Sequence, residues 1–371
     1  MKFRSLFLSA FCLVTMGALF TACEEDDEEE MDNEGPVEFP GGDAENGTER
    51  TPRAFILNEG IYGMNNANVS FYNPATGEVI ANIYARQNNG RSLGDTGQDM
   101  IAYESNIYVV LNGSSYICRL DTTGVEQARY TFTEEQGQPR YVVADDGKVY
   151  VTLYSGNVAR LDAKTLAFEK MVAVGNNPEQ LVEEDDKLYV INSGWGYDNR
   201  LSIIDLNSFA EAEHVEIMAN PQRIIEVDDH IFIQGYGAAY PEPYTYPVQL
   251  YDRETKTVTT IGKGTHMAAY GNKLYVAYCS TADWVNYTTT FYTYDTRTGQ
   301  TSEASFLKDA PAEVVCGNVY MLEVNPENGD IYVGITHYAA GEGDIYRFAA
   351  DGTFLSSFES GGQGPNNMVF F

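Results

Sequence analysis

Histidine, cysteine and positive charge are scarce in this chain of 371 residues: four His, five Cys and 23 Lys plus Arg stand against 54 Asp plus Glu. His214, His230, His266 and His337 are far apart, with no HExxH and no carboxylate at ligand spacing, so no metal site is legible. A G-x-S-x-G elbow, a P-loop and a Cys/His pair are missing, and the carboxylates are too numerous for any two to stand out as a dyad. No catalytic residue is therefore assigned. Cys118, Cys279 and Cys316, the cysteines beyond the N-terminal segment, are odd in number and form no CxxC, which excludes a disulfide framework. Cys118 and Cys279 lie in strand-like runs, where small buried hydrophobes are expected. A sustained 3.6-residue apolar period is also lacking, so almost no helix is expected.

The net charge is −31. Residues 24–50 hold 13 of the acids and one base, and the first 22 residues hold two bases, so the rest of the chain has 41 acids against 20 bases. That sign disfavours nucleic acid and direct docking on an anionic membrane. It admits a neutral or cationic ligand, or a basic protein.

The longest apolar run is short. Lys2 and Arg4 precede a nearly uncharged stretch over residues 5–20 that ends in Phe20-Thr21-Ala22-Cys23. This reads as a cleaved export signal over residues 1–22 and not as a membrane span. The cysteine at the cleavage point resembles the lipobox of bacterial lipoproteins, which implies that Cys23 is lipidated and that the acyl chains alone anchor the protein. Seven carboxylates follow, Glu24 to Glu30, a block that repels itself and cannot bury apolar surface. Residues 23–51 are expected to form a flexible stalk. The acidic run resembles the export address of surface lipoproteins of Bacteroidetes, which implies an outer-membrane, surface-exposed location.

From residue 52 to 371 the sequence repeats. An aromatic flanked by β-branched or aliphatic residues recurs at Phe55, Tyr108, Tyr150, Tyr189, Phe232, Tyr275 and Tyr332, at intervals of 53, 42, 39, 43, 43 and 57 residues. Each copy is followed by a second strand phrase ending in a turn-forming residue, as at Asn73, Asp121, Asp162, Asp205, Asp252 and Asp295. Seven units of four short strands predict an all-β fold, a seven-bladed β-propeller. The first copy has no strand before it, while the C-terminal Pro365-Asn366-Asn367-Met368-Val369-Phe370 resembles the strands beginning at Asn177-Pro178 and Asn220-Pro221. The C-terminal strand is therefore expected to complete the N-terminal blade and close the ring.

Two loop sets in such a ring converge on one face. The first, leading into each innermost strand, is rich in amides and proline and contains Gln98, Arg140, Gln180, Gln222, Arg223, His266 and Asn367. The second, after each second strand, is aromatic: Tyr62, Tyr154, Trp195, Tyr197, Tyr236, Tyr240, Trp284, Tyr287 and Tyr338. Loop aromatics without a core role point to a surface that grips a large, partly apolar ligand or a protein.

Leu57-Asn58-Glu59-Gly60 with Gly63, Asn66 and Ala67, then Thr76-Gly77, Asn82-Ile83-Tyr84-Ala85 and Leu93-Gly94-Asp95 with Gly97 and Asp99, carry a family likeness. With the Tyr-Val phrase and the Asn-Pro starts, the chain resembles YncE-like (YVTN) propeller lipoproteins of Bacteroidetes, in particular the DUF5074, BtuG-like subgroup. The resemblance implies capture of cobalamin or a related corrinoid as a ligand, with no cofactor. It also implies delivery to a TonB-dependent outer-membrane transporter of the BtuB kind. An interaction propeller without a small ligand, or a propeller lyase or hydrolase using His266 or His337, are the alternatives.

Overall fold

The computed structural model describes residues 35–38 and 52–371. The expected signal peptide, the lipidated Cys23 and the acidic run after it lie outside the described residues.

Seven four-stranded antiparallel sheets follow one another as the blades of a propeller. The phrase around each repeated aromatic forms the second strand of its blade: Ala54–Asn58, Asn106–Leu111, Lys148–Leu153, Lys187–Asn192, His230–Gly235, Lys273–Thr281 and Ile331–Ile335. These strands are apolar at nearly every position because both of their faces are covered. Phe55 and Leu57 pack with Ile107 and Val109 of blade 2, whereas Ala54 and Ile56, on the opposite face, pack with Met321 and Tyr332 of blade 7. The same alternation gives one hydrophobic cluster for each of the seven interfaces between blades. The seven repeated aromatics are all buried in these layers.

The turn residues close the third strands as Asx turns. Asp121 Oδ1 accepts from the Thr123 amide at 2.9 Å, Asp162 Oδ1 from Thr165 at 2.9 Å and Asp205 Oδ1 from Ser208 at 2.8 Å. The Thr165 hydroxyl with its amide, and the Ser208 amide with its hydroxyl, hold the Asp162 and Asp205 carboxyls below the ordinary carboxylate range. Outer strands such as Glu126–Thr131 and Ala210–Glu216 alternate half-buried and exposed positions, and their charged side chains guard an otherwise open sheet edge.

The C-terminal strand Pro365–Phe370 is the innermost strand of blade 1, with Met368 opposite Ile56 and Val369 opposite Phe55. Helix is confined to the five-residue Ile83–Gln87 and Ala312–Cys316 and two single 3-10 turns among the described residues. The two five-residue helices fall where the repeat interval lengthens to 53 and 57 residues. Cys118 is buried as expected, but Cys279 is half-buried and Cys316 exposed, and all three are free thiols.

Candidate functional site

The innermost strands are Gly97–Tyr103, Pro139–Asp145, Pro178–Glu184, Pro221–Val227, His266–Tyr270, Val319–Val324 and Pro365–Phe370. Six of the seven shift register within their first residues, so one residue there lacks a partner on the second strand. Such a bulge turns side chains away from the ladder, here toward the axis of the ring. Gln98, Gln222, Tyr320 and Asn366 occupy these positions, and Arg140 with Tyr141 and Glu179 with Gln180 span the two-residue versions. Pro139, Pro178, Pro221 and Pro365 precede four of the bulges and fix the backbone leading into them. Gly97 serves blade 2, where a Cβ would lie 2.8 Å from Leu57 Cδ1.

A cavity of about 430 Å³ opens where these strands begin, and every blade contributes to its wall. Seven amide side chains line it: Gln98, Gln180, Gln222, Gln234, Asn318, Asn366 and Asn367. Several are tied to the framework at one end only. Gln180 Oε1 accepts the Ile224 amide at 3.0 Å, Gln222 Nε2 donates to Asn220 Oδ1 at 2.8 Å, and Asn366 Nδ2 donates to the Gly97 carbonyl at 2.8 Å. Asn367 Nδ2 donates to Asp99 Oδ1 at 3.1 Å. The opposite end of each of these four amides has no partner among the described residues. The Asn318 Nδ2 and Asn366 Oδ1 atoms are moreover buried without one.

Two guanidiniums face the cavity in different states. Arg140 donates to Glu179 Oε2 through Nε at 2.9 Å and lies 2.8 Å from the same oxygen through Nη2, and it also donates to Gln98 Oε1. It sits over the rings of Tyr141 and Tyr154, 5.2 and 5.0 Å from their centroids. Burial opposes the Arg140 charge, but Glu179 and the two tyrosines outweigh it and raise the pKa. Burial raises Glu179 as well, against the pull of Arg140 and the Ser193 hydroxyl. The Arg223 side chain, by contrast, forms no hydrogen bond or ion pair with any described residue.

The remaining acids lie against this centre, Asp99 buried and Glu59 and Glu323 half-buried. Asp99 accepts from the Val142 amide at 2.9 Å, and burial still pushes its carboxyl up to about 6. Glu59 accepts from the Tyr320 hydroxyl and is raised by burial. Glu323 is pushed up to about 8, because it is desolvated and the field of Arg223 only partly compensates. His266 is buried, its Nδ1 3.1 Å from Thr265 Oγ1, and burial with Arg223 nearby depresses it well below its ordinary 6.5. His266 therefore stays neutral at physiological pH.

The Glu323 shift fixes a pH dependence. Between its ordinary 4.5 and about 8 the folded protein holds a proton that the unfolded chain has lost, so stability falls as pH rises through that window and levels off above it. Glu323→Gln is expected to remove the share of this decline that Glu323 contributes, leaving that of Asp99 up to about 6, and to be more stable than the parent at pH 9. Urea unfolding from pH 5 to 9 measures it, and parallel curves for the two proteins would contradict the assignment.

Aromatic side chains rise above the cavity on one side. The second and third strands of blade 6, Lys273–Thr281 and Tyr287–Asp295, run nine residues each against five or six in the other blades. Their hairpin therefore projects about 10 Å further, at ~3.3 Å per residue. It carries Trp284 and Tyr287, and Tyr338 of blade 7 stands beside them. Trp195, Trp284 and Tyr338 all have left-handed backbones, with φ of 53°, 60° and 49°. In each case a hydroxyl two or three residues earlier accepts the aromatic amide: Ser193 at 3.2 Å, Thr281 at 2.9 Å and Thr336 at 3.1 Å. Bulky residues rarely adopt this conformation, and here one turn device presents three of them to solvent.

Of the residues expected from sequence, Gln98, Arg140, Gln180, Gln222, Arg223, Tyr236, His266, Trp284, Tyr287, Tyr338 and Asn367 line the cavity. Tyr154 lies just behind it, edge-on to Trp195 at 6.1 Å and under Arg140. Tyr62, Tyr197 and Tyr240 are at least three-quarters exposed and do not line it. His337 is exposed and meets Asp344 at 2.9 Å. Sequence reasoning missed Glu59, Asp99, Glu179, Asn318, Tyr320 and Glu323 as part of this centre. Asp99 and Glu179 sit inside the amide-rich loop phrases. Asn318, Tyr320 and Glu323 belong to blade 7, whose Gly317-Asn318-Val319 start has no proline to mark it.

Among curated proteins no sequence matches this chain. The sequence profile of DUF5074, a domain of unknown function, matches residues 53–358. A quinonprotein alcohol dehydrogenase-like protein from Bacteroides thetaiotaomicron is similar in structure, with a TM-score of 0.59, 15% identity and coverage of 86% of this chain and 78% of that one. Hydrazine synthase of Kuenenia stuttgartiensis aligns with a TM-score of 0.56 and 15% identity over 69% of this chain and 77% of that one. Apo AztD from Citrobacter koseri aligns at 0.51 and 12%, over 86% and 98%. At these identities the likeness is one of fold alone.

Proposed function

The chain belongs to the DUF5074 family, and from its cavity and rim we propose that it captures a corrinoid, cobalamin or a close relative, without turning it over. The observation that carries this reading is the set of seven amides around one cavity beneath a one-sided aromatic wall. A corrinoid edge is decorated with amides, and side chains tied at one end offer the matching donors and acceptors with little loss of rotamer freedom on binding. A whole corrinoid exceeds 430 Å³, so part of it enters the cavity while the macrocycle rests on Trp284, Tyr287 and Tyr338. His266, held neutral by burial, offers the ligand one donor and one acceptor at its ring nitrogens.

Tyr62, Met64, Trp195, Tyr197 and Tyr240 remain exposed outside the cavity. That surplus of solvent-facing apolar surface favours a protein partner for handover, which we take to be a TonB-dependent outer-membrane transporter of the BtuB kind. Anchoring through a lipid on Cys23, at the outer membrane and on the cell surface, belongs to the same proposal.

The chain has two tryptophans, which gives a direct optical test. Trp195→Phe leaves Trp284 as the sole reporter, and cyanocobalamin is expected to quench it saturably after inner-filter correction. Trp284→Phe leaves Trp195 behind Tyr154, where quenching should be weaker. Linear, unsaturable quenching in both variants would remove the support.

A further inference from the structure

Arg223 is the one cavity cation without a counter-charge of its own. Arg140 is consumed by Glu179 and Gln98. The acids near Arg223 are served by other donors: Asp99 by the Val142 amide and Asn367, Glu59 by Tyr320, and Glu179 by Arg140 and the Ser193 hydroxyl. The fourth acid, Glu323, is pushed toward its neutral form by burial, against the field of Arg223. Elsewhere on the cavity wall, Asn318 has a buried N–H pair with no acceptor. The chain as a whole is strongly acidic, so a guanidinium without its own hydrogen-bonded acid in this cavity runs against its general field.

A guanidinium presents its N–H groups in a planar fork that fits two oxygens of one oxyanion, and in a partly desolvated cavity an unmatched one favours such a partner. We propose that Arg223 receives a single negatively charged oxyanion group of the ligand, a phosphate diester or a carboxylate. The inference rests on the capture reading above and refines it: among corrinoids, the phosphodiester of the nucleotide loop enters the cavity, and corrinoids lacking that loop bind less well.

Calorimetric titration of the whole protein with cyanocobalamin and with dicyanocobinamide, which lacks the nucleotide loop and its phosphate, tests this. A hydrogen-bonded charge of this kind is expected to favour cyanocobalamin by about 10- to 100-fold. Arg223→Gln should erase the preference by weakening cyanocobalamin alone, and Arg223→Lys should keep part of it. Equal affinity for both corrinoids, unchanged in Arg223→Gln, overturns the role of Arg223 and leaves corrinoid capture standing. Dimethyl phosphate and acetate, titrated separately while the Arg223 side chain is followed by NMR, decide the matter if neither corrinoid binds. Saturation that disappears in Arg223→Gln sustains the oxyanion site while corrinoid capture fails. No response of Arg223 to either anion then overturns the oxyanion site as well.

Discussion

A chain ending at Gly364 is expected to lose its folded monomer. The deleted strand supplies the inner edge of blade 1, where Met368 and Val369 are buried and Asn366 and Asn367 reach across to blade 2. It also carries both bonds between Arg53 and Phe371, at 2.9 and 2.8 Å. Burying an apolar side chain contributes roughly 1.5–3 kcal/mol, so the four residues Met368 to Phe371 together match a large part of the ~5–15 kcal/mol that holds a domain folded. Removing them also leaves Ala54–Asn58, apolar on both faces, as an open edge that templates aggregation. Size-exclusion chromatography with thermal unfolding measures this. A monodisperse truncated protein that melts near the parent temperature would mean the ring does not depend on its closing strand. Met368→Ala is the milder version, with an expected cost of about 2–5 kcal/mol.

Glu179→Ala is expected to cost about 3–5 kcal/mol, because it leaves the Arg140 guanidinium buried among Tyr141, Tyr154 and Gln98 without its partner. The loss should exceed that from any exposed ion pair of the propeller, such as Lys308 with Asp351. Replacing both partners with apolar residues, Arg140→Met with Glu179→Leu, should recover most of the stability, since desolvation of both charges is then avoided. Ligand affinity should not recover, because Gln98 loses the donor that orients it. Urea unfolding of the single and double variants distinguishes these outcomes. A single variant within 1 kcal/mol of the parent would show that Arg140 finds water or another acceptor readily.

The ring was legible in the sequence for a physical reason. A strand covered on both faces must be apolar throughout, so Ile107 to Leu111 or Leu188 to Ile191 reads the same in every blade. The Asx residues after the third strands were equally legible, since the backbone amides that follow need an acceptor at that spot. The meeting of Gln98, Gln180, Gln222 and Asn367 followed from the starts of the innermost strands. What stayed hidden depends on long-range pairing. Arg140 and Arg223 occupy equivalent positions one residue apart in register, and nothing local says that Glu179 lies beside the first and not the second. Trp195 and Trp284 likewise look alike as loop aromatics. Only the length of the blade 6 hairpin, set by pairing of Thr281 with Tyr287, lifts Trp284 over the cavity.

The most direct test of the account is calorimetric titration of the purified protein with cyanocobalamin, alongside haem and neutral glycans. Saturable one-to-one binding of the corrinoid, weakened at least tenfold by joint replacement of Trp284 and Tyr287 with alanine, is the predicted result. No heat with cyanocobalamin from protein whose circular dichroism is fully β, or equal binding by the double variant, would contradict it.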